Sequence, residues 1–99
     1  MGLDIALDEL YSTGWATLDS AGCEATSSGR WLPGLERIRE EFARAGFTLS
    51  LRHTQLFDCY RAEWTDSSGV PCGGVVGSTE LEAAVYALAQ LRRDSAATV

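Results

Sequence analysis

The sequence predicts an α+β fold, because the period of its hydrophobic residues changes twice. Apolar residues recur at helical spacing in the first part of the chain, alternate with polar residues over 47–76, and return to helical spacing after Ser78. We therefore expect two N-terminal helices, a three-stranded antiparallel meander and a C-terminal helix packed on the sheet, in the order ααβββα. At 99 residues the chain is expected to form one domain over 1–93, followed by a frayed tail over 94–99.

The charge of the chain excludes several kinds of site. Its formal net charge is −6, its isoelectric point is about 4.6, and all eight basic residues are arginines. Without lysine there is no Schiff-base lysine, no P-loop lysine and no lysine general base. Because phosphate backbones are bound mostly by a basic face, we expect no nucleic-acid partner.

The first residues, the apolar runs and the cysteines predict the cellular compartment of the protein. The first residues lack the basic region of a signal peptide, and no apolar run approaches the roughly 20 residues of a membrane span. Cys23, Cys59 and Cys72 form an odd set without CxxC spacing, which is typical of reduced thiols. With His53 they have the ligand types of a Cys₃His zinc site, but not the short spacing of a zinc knuckle. We expect a cytoplasmic protein with no metal and no membrane partner.

Two helices are predicted before the sheet. The first runs to about Thr13, and Gly14 either ends it or lies inside a helix that continues to Leu18. Small and polar residues over 20–30 predict a long loop. A second helix is predicted over Pro33–Ala45, since proline suits a first helical turn and Gly46 follows as a stop.

Alternating residues predict three strands, over Phe47–His53, Leu56–Thr65 and Val70–Gly77. Thr54-Gln55 is expected to form the first turn and Asp66–Gly69 the second. The resulting pairs, His53 with Leu56 and Thr65 with Val70, divide the sheet into two faces. The predicted core face carries Phe47, Leu49, Leu51, His53, Leu56, Asp58, Tyr60, Ala62, Trp64 and Val75. The opposite, mixed face carries Thr48, Ser50, Arg52, Phe57, Cys59, Arg61, Glu63, Cys72 and Val76. A slip of one residue would exchange the two sets.

The C-terminal helix has the clearest start in the chain. Thr79 as N-cap with Glu82 three residues later forms a capping box. Acidic residues follow at the positive end of the helix dipole, and Arg92 and Arg93 stand at the negative end. We therefore expect the helix to end at Arg93.

A glycine-rich junction precedes this helix. Its strand-to-helix turn has the general form of a phosphate-binding loop, but it matches neither a GxGxxG nor a Walker spacing. We interpret Gly73 and Gly74 as allowing a helix to approach the sheet closely, and Gly77 as turning the corner. No cofactor is expected.

The mixed sheet face is the leading candidate for a binding site. If no helix covers it, Arg52, Phe57, Arg61 and Glu63 present an aromatic side chain beside two arginines, a composition enriched in protein interfaces. If the first helix covers it, the same charges form a rim contact and there is no site. Trp31 is a further binding candidate by the same reasoning.

A second candidate site combines His53 with Asp58. Both lie on the predicted core face, where the carboxylate could orient the imidazole for acid–base chemistry. A buried His–Asp pair also forms as a polar contact without catalysis, and no nucleophile accompanies it. We predict no catalytic residues, with these two as the runner-up.

One stretch resembles the second half of a double-stranded-RNA-binding domain: the meander followed by the alanine-rich segment Gly77–Leu88. The likeness covers nearly half of the chain and implies the same order of sheet and helix. That family places lysines at the start of this helix to grip phosphates, whereas this chain has Glu80 and Glu82 there. The resemblance therefore implies the topology and not the RNA-binding activity.

The function expected from these observations is that of a small cytoplasmic interaction or adaptor module. Its partner would be another protein or a second copy of the chain in a homodimer. The alternative is a small enzyme or small-molecule binder with a cleft around His53, Asp58 and Tyr60.

Overall fold

Helices and antiparallel strands both occur in the computed structural model, which describes residues 2–15, 22–26 and 29–97. Within these ranges the helices are α1 (Gly2–Ser12), α2 (Leu35–Arg44) and α3 (Glu80–Ala97). The strands are β1 (Cys23–Ala25), β2 (Trp31–Pro33), β3 (Thr48–Thr54), β4 (Cys59–Thr65) and β5 (Pro71–Gly77). The predicted α+β class is confirmed.

The strands form two separate sheets rather than one. The larger sheet has the strand order β3-β4-β5, which is the predicted antiparallel meander. The smaller sheet pairs β1 with β2, and its register joins Cys23 to Pro33. This hairpin corrects the predicted loop over 20–30 at residues 23–25, while residues 20–21 and 27–28 of that loop lie outside the described ranges. It also corrects the prediction of a helix beginning at Pro33. Pro33 is instead the buried last residue of β2, and α2 begins two residues later.

The first helix ends where the earlier of the two predicted boundaries put it. Gly14 has a φ of +83°, a conformation that glycine adopts without steric cost, so the chain leaves the helix there. The alternative continuation toward Leu18 falls on residues 16–18, which lie outside the described ranges. Trp15 is buried, and its ring meets Tyr11 edge-on at 5.4 Å.

Both predicted strand registers are wrong, yet the division into faces survives. His53 pairs with Tyr60 instead of Leu56, because residues 55–58 form the turn. Ala62 pairs with Val75 instead of Gly73. These displacements are four and two residues, and an even displacement keeps every strand residue on its face. At this end of the sheet the prediction fails: it puts His53, Leu56 and Asp58 on the core face, whereas all three are exposed and His53 borders the cleft that Arg52 and Arg61 line.

The core lies between one face of the larger sheet and the helices. Phe42 on α2 and Trp64 on β4 are fully buried, with ring centroids 5.5 Å apart. Helix α1 packs along α3 rather than on the sheet. Arg92 Nε donates to Thr13 Oγ1 at 2.8 Å, and Arg93 forms an ion pair with Glu9, so two consecutive arginines fix α1 in this position.

The glycines of β5 have three different surroundings, which corrects the prediction that Gly73 and Gly74 allow a helix to approach the sheet. A Cβ on Gly73 would overlap the buried indole of Trp64, so this position admits an aromatic ring and not a helix. A Cβ on Gly77 would lie 2.6 Å from the backbone nitrogen of Ala83, so this glycine is the one that admits α3. Gly74 faces away from the core, beneath Arg61.

The predicted N-cap of α3 is confirmed, whereas the carboxylate of the predicted capping box bonds to the neighbouring Ser78 hydroxyl instead of the Thr79 backbone N–H. The backbone N–H of Glu82 donates to Thr79 Oγ1 at 3.1 Å, and the Glu82 carboxylate accepts from Ser78 Oγ at 2.5 Å. The helix continues to Ala97, four residues beyond the predicted end at Arg93, so residues 94–97 of the predicted tail are helical. No helix within the described ranges is both long and apolar enough to cross a membrane.

Candidate functional site

The face of the larger sheet that points away from the core is uncovered by the three described helices. We call it the outer face and define it by Arg52 on β3, Arg61 and Glu63 on β4, and Val76 on β5. Because side chains alternate along a strand, these four lie on the other side of the sheet from the buried Leu49, Ala62 and Trp64. The side chain of Arg52 is 68% exposed and that of Arg61 is 44% exposed. The sequence left open whether α1 covers this face, and α1 lies against α3 instead.

A three-residue charge cluster occupies the centre of the outer face. Arg52 and Arg61 are direct cross-strand partners in the β3–β4 register. Glu63 bridges them: its Oε1 accepts from Arg52 Nη2 at 2.8 Å and lies 3.4 Å from Arg61 Nε. Like charges directly opposite each other destabilise a sheet, and the shared carboxylate offsets this repulsion. Two positive charges and one negative charge leave the cluster net positive on a chain whose net charge is −6.

Glycine makes room for one of these arginines. A Cβ on Gly74 would lie 3.0 Å from Arg61 Nη2. The Arg61 guanidinium therefore lies above a strand position without a side chain, and reaches from β4 over β5. The position of this cation depends on the glycine as well as on Glu63.

Apolar side chains lie beside the charges. Phe57, in the turn between β3 and β4, is 75% exposed, and Val76 is 55% exposed. They border the same shallow cleft, of about 590 Å³, as the two arginines. The cleft is lined by Arg52, His53, Thr54, Phe57, Cys59, Arg61 and Val76. A ligand in this cleft would meet cations and apolar surface together.

Four of the five predicted binding residues come together here. Arg52, Phe57 and Arg61 line the cleft, and Glu63 joins it through its ion pairs. Trp31 does not line it: its backbone N–H donates to Tyr11 Oη at 3.0 Å, and its carbonyl accepts from the same hydroxyl at 2.9 Å. These bonds fix Trp31 to α1 on the smaller sheet.

The runner-up pair is in contact but lies in water. His53 Nε2 is 3.1 Å from Asp58 Oδ1, and the His53 ring lies 4.9 Å from the Tyr60 ring. Asp58 sits in the turn with a φ of +46°, and its side chain is 94% exposed. The geometry is that of a surface polar contact at the end of the sheet.

A second cleft, of about 440 Å³, escaped sequence reasoning. It lies between the β1–β2 hairpin and the helices, and is lined by Gly22, Cys23, Glu24, Leu32, Pro33, Gly34, Leu35 and Leu81. Arg37 Nη1 lies 3.8 Å from Cys23 Sγ at its side. Strands of three residues are too short to show an alternation, so the sequence contains no pattern that predicts the proximity of these residues. Among the described residues, no three His, Cys, Asp or Glu side chains group in a way that could hold a metal ion.

Comparison with known proteins adds no assignment to this geometry. No protein-family model, characterised protein or solved structure matches the chain.

Proposed function

We propose that the outer face docks another protein, so that the chain acts as a small interaction or adaptor module. One observation carries the proposal: the face left open by the helices places the exposed Phe57 beside Arg52 and Arg61 in one cleft. Aromatic residues and arginine are enriched where proteins meet, and they dominate the binding energy of many interfaces. An unoccupied surface of this kind exposes an aromatic ring that is flanked by cations.

The cytoplasm is the proposed location. The chain has three cysteines, an odd number without CxxC spacing, and this pattern is typical of thiols in a reducing compartment. The acidic balance of the chain suits a soluble partner, and no nucleic-acid or membrane partner is proposed.

A partner of different sequence suits the outer face better than a second copy. In an isologous dimer the same patch meets itself. Such a dimer centred on this face would bring together Arg52 and Arg61 of both copies, and their repulsion would have to be overcome. A homodimer is therefore the second form of the proposal, and its signature is a mass twice that of the chain.

The proposal is tested by affinity capture on the immobilised protein from an extract of the cells that make it. Captured proteins are quantified by mass spectrometry for the wild type and for two variants of the outer face, Phe57→Ser and Arg61→Gln. Matched controls are Ile5→Ser, which removes an exposed apolar side chain from α1, and Arg44→Gln, which removes an exposed arginine from α2. The captured partner is then purified and its binding is measured directly.

We expect a defined protein whose recovery falls with both face variants and is unchanged with both controls. The purified partner should bind with the same order of preference. If no protein distinguishes the face variants from the controls, the outer face is not a docking site. If the captured protein is the chain itself, the homodimer replaces the separate partner.

A second candidate function is supported by the contact between His53 and Asp58 and by the position of His53 on the cleft. It is a small enzyme or small-molecule binder that uses these residues and Tyr60. A ligand-observed NMR screen of small molecules tests it. The candidate fails if His53→Ala binds every hit as the wild type does.

A further inference from the structure

We infer that the partner segment is an acidic linear peptide that carries a carboxylate next to an apolar side chain, and that Glu63 is a built-in competitor for it. The incoming carboxylate would take the place of Glu63 between Arg52 and Arg61, while the apolar side chain packs on Phe57. This inference rests on the proposed function and names the chemistry of its partner.

Both arginines have further N–H hydrogen-bond donors with which to bind a ligand. A guanidinium carries five N–H donors in a planar fork, which matches the two oxygens of a carboxylate. The described contacts engage Nη2 of Arg52 and Nε of Arg61, and both reach the same oxygen of Glu63. Because these two contacts share one oxygen, neither of them is a bidentate arginine–carboxylate pair. A second carboxylate can therefore form bonds that Glu63 does not.

The ion pairs of Glu63 are weak enough to exchange. Its side chain is about one-third exposed, and both arginines are more exposed still. Exposed ion pairs contribute little net free energy, since water and salt compete with each of them. Displacing the Glu63 carboxylate by a ligand carboxylate therefore costs little free energy. Bidentate hydrogen bonds from the arginines to the ligand then add to its affinity.

The charge distribution of the chain favours a ligand with negative charge. The cluster of Arg52, Arg61 and Glu63 is net positive, whereas the chain as a whole carries −6. An acidic segment is attracted to this face and repelled by the remainder of the protein, so the charge both attracts and orients it. A basic segment would be drawn to the remainder instead.

The apolar part of the cleft distinguishes a peptide from a simple anion. Phe57 and Val76 border the same cleft as the arginines. An inorganic anion meets only the guanidinium groups, so its binding would not depend on Phe57. A peptide with adjacent acidic and apolar side chains meets both surfaces, so its binding depends on both.

The test selects short random peptides, displayed on phage, on the immobilised wild-type protein. We expect enrichment of Asp or Glu beside Leu, Ile, Val or an aromatic residue. The affinity of the enriched peptides is then measured by fluorescence anisotropy. Arg52→Gln and Arg61→Gln should each weaken binding roughly two- to fivefold, and Glu63→Gln should strengthen it by a similar factor. A gain of affinity cannot arise from a variant that fails to fold.

Matched controls and competing outcomes complete the test. Arg44→Gln and Glu40→Gln change charge on the exposed side of α2 and should leave the affinity unchanged. Enriched peptides without acidic residues whose binding still depends on Phe57 would overturn this inference and leave the proposed docking function standing. So would Glu63→Gln with unchanged or weaker binding. Tighter binding of a single-stranded oligonucleotide, or the absence of any enriched peptide, would also overturn it.

Discussion

Arg52 and Arg61 lie directly opposite each other on β3 and β4, and one carboxylate oxygen of Glu63 bridges them. The pair stands on the side of the sheet that the described helices leave open. Sheets usually avoid like charges at directly opposed positions, because the two side chains are held close together. A chain that keeps such a pair on an open surface, with one counter-charge between them, has a cationic site at the cost of some stability.

The first prediction concerns Glu63→Gln. Removing the carboxylate leaves the Arg52–Arg61 repulsion without compensation, so the free energy of unfolding should fall by about 0.2–1 kcal/mol. Urea unfolding at low and high salt measures this difference, which should shrink as salt screens the repulsion. Arg61→Gln in the Glu63→Gln background removes the repulsion and should restore stability. A loss that is independent of salt and unrelieved by the second substitution would contradict the electrostatic explanation.

The second prediction compares two neighbouring glycines of β5. Gly73→Ala places a methyl group in overlap with the indole of Trp64, which is fully buried and is a rigid ring. The free energy of unfolding should therefore fall by about 1–3 kcal/mol. Gly74→Ala meets the flexible end of Arg61 closely and the Ala62 carbonyl at an ordinary contact distance, and should change stability by less than about 0.5 kcal/mol.

Urea unfolding followed by tryptophan fluorescence measures both glycine variants. Equal losses at the two positions would mean that the indole does not lie where the structure places it. Gly74→Ala has a separate use, since it displaces the Arg61 guanidinium with little effect on the fold. Weakened binding of an acidic peptide to this variant would connect the position of that cation to recognition.

The third prediction concerns the start of α3. Thr79→Ala removes the side-chain acceptor of the Glu82 N–H, and the loss of such a cap typically costs about 1 kcal/mol. Thr79→Ser keeps the hydroxyl and should stay close to the wild type. Circular dichroism during urea unfolding measures both. If serine is as destabilising as alanine, the hydroxyl is not acting as the cap.

The fourth prediction concerns Tyr11→Phe. The Tyr11 hydroxyl is bonded to both the N–H and the carbonyl of Trp31, so its loss should lower the free energy of unfolding by about 1 kcal/mol. Amide hydrogen exchange should quicken at Trp31 in particular, because its N–H loses its acceptor, while the Arg30–Asp8 ion pair still joins this region to α1. The control is Tyr86→Phe, whose hydroxyl forms no hydrogen bond among the described residues. Unchanged exchange at Trp31 would show that this tie is absent in solution.

The sequence predicted those parts of the fold that depend on long periodic segments. The helical spacing of Leu35, Ile38 and Phe42 in α2, the N-cap signal at Thr79 and the alternation of β3 and β4 each contain several residues that agree with one another. The two faces of the sheet survived two register errors because both displacements were even. The mixed face was therefore identified correctly although the turn at residues 54–55 was wrong.

The remaining features either lack a recognisable local signal or depend on contacts between distant residues. The true turn over residues 55–58 includes Asp58 at a positive φ, and the sequence there has no glycine to indicate it. The β1–β2 hairpin is too short to show an alternation. Whether α1 covered the outer face depended on its packing against α3, through Arg92, Arg93 and their partners. A single sequence does not specify which of two surfaces a helix will choose.

The central claim is that another protein occupies the outer face, and site-specific photo-crosslinking in living cells tests it most directly. A benzoylphenylalanine side chain replaces Phe57 in one form of the protein and Ile5 in the other; both positions are exposed and apolar. We predict that illumination joins position 57, but not position 5, to one defined protein, and that Arg61→Gln lowers the yield of this product. Equal cross-linking at the two positions, or no product at position 57, would contradict the claim.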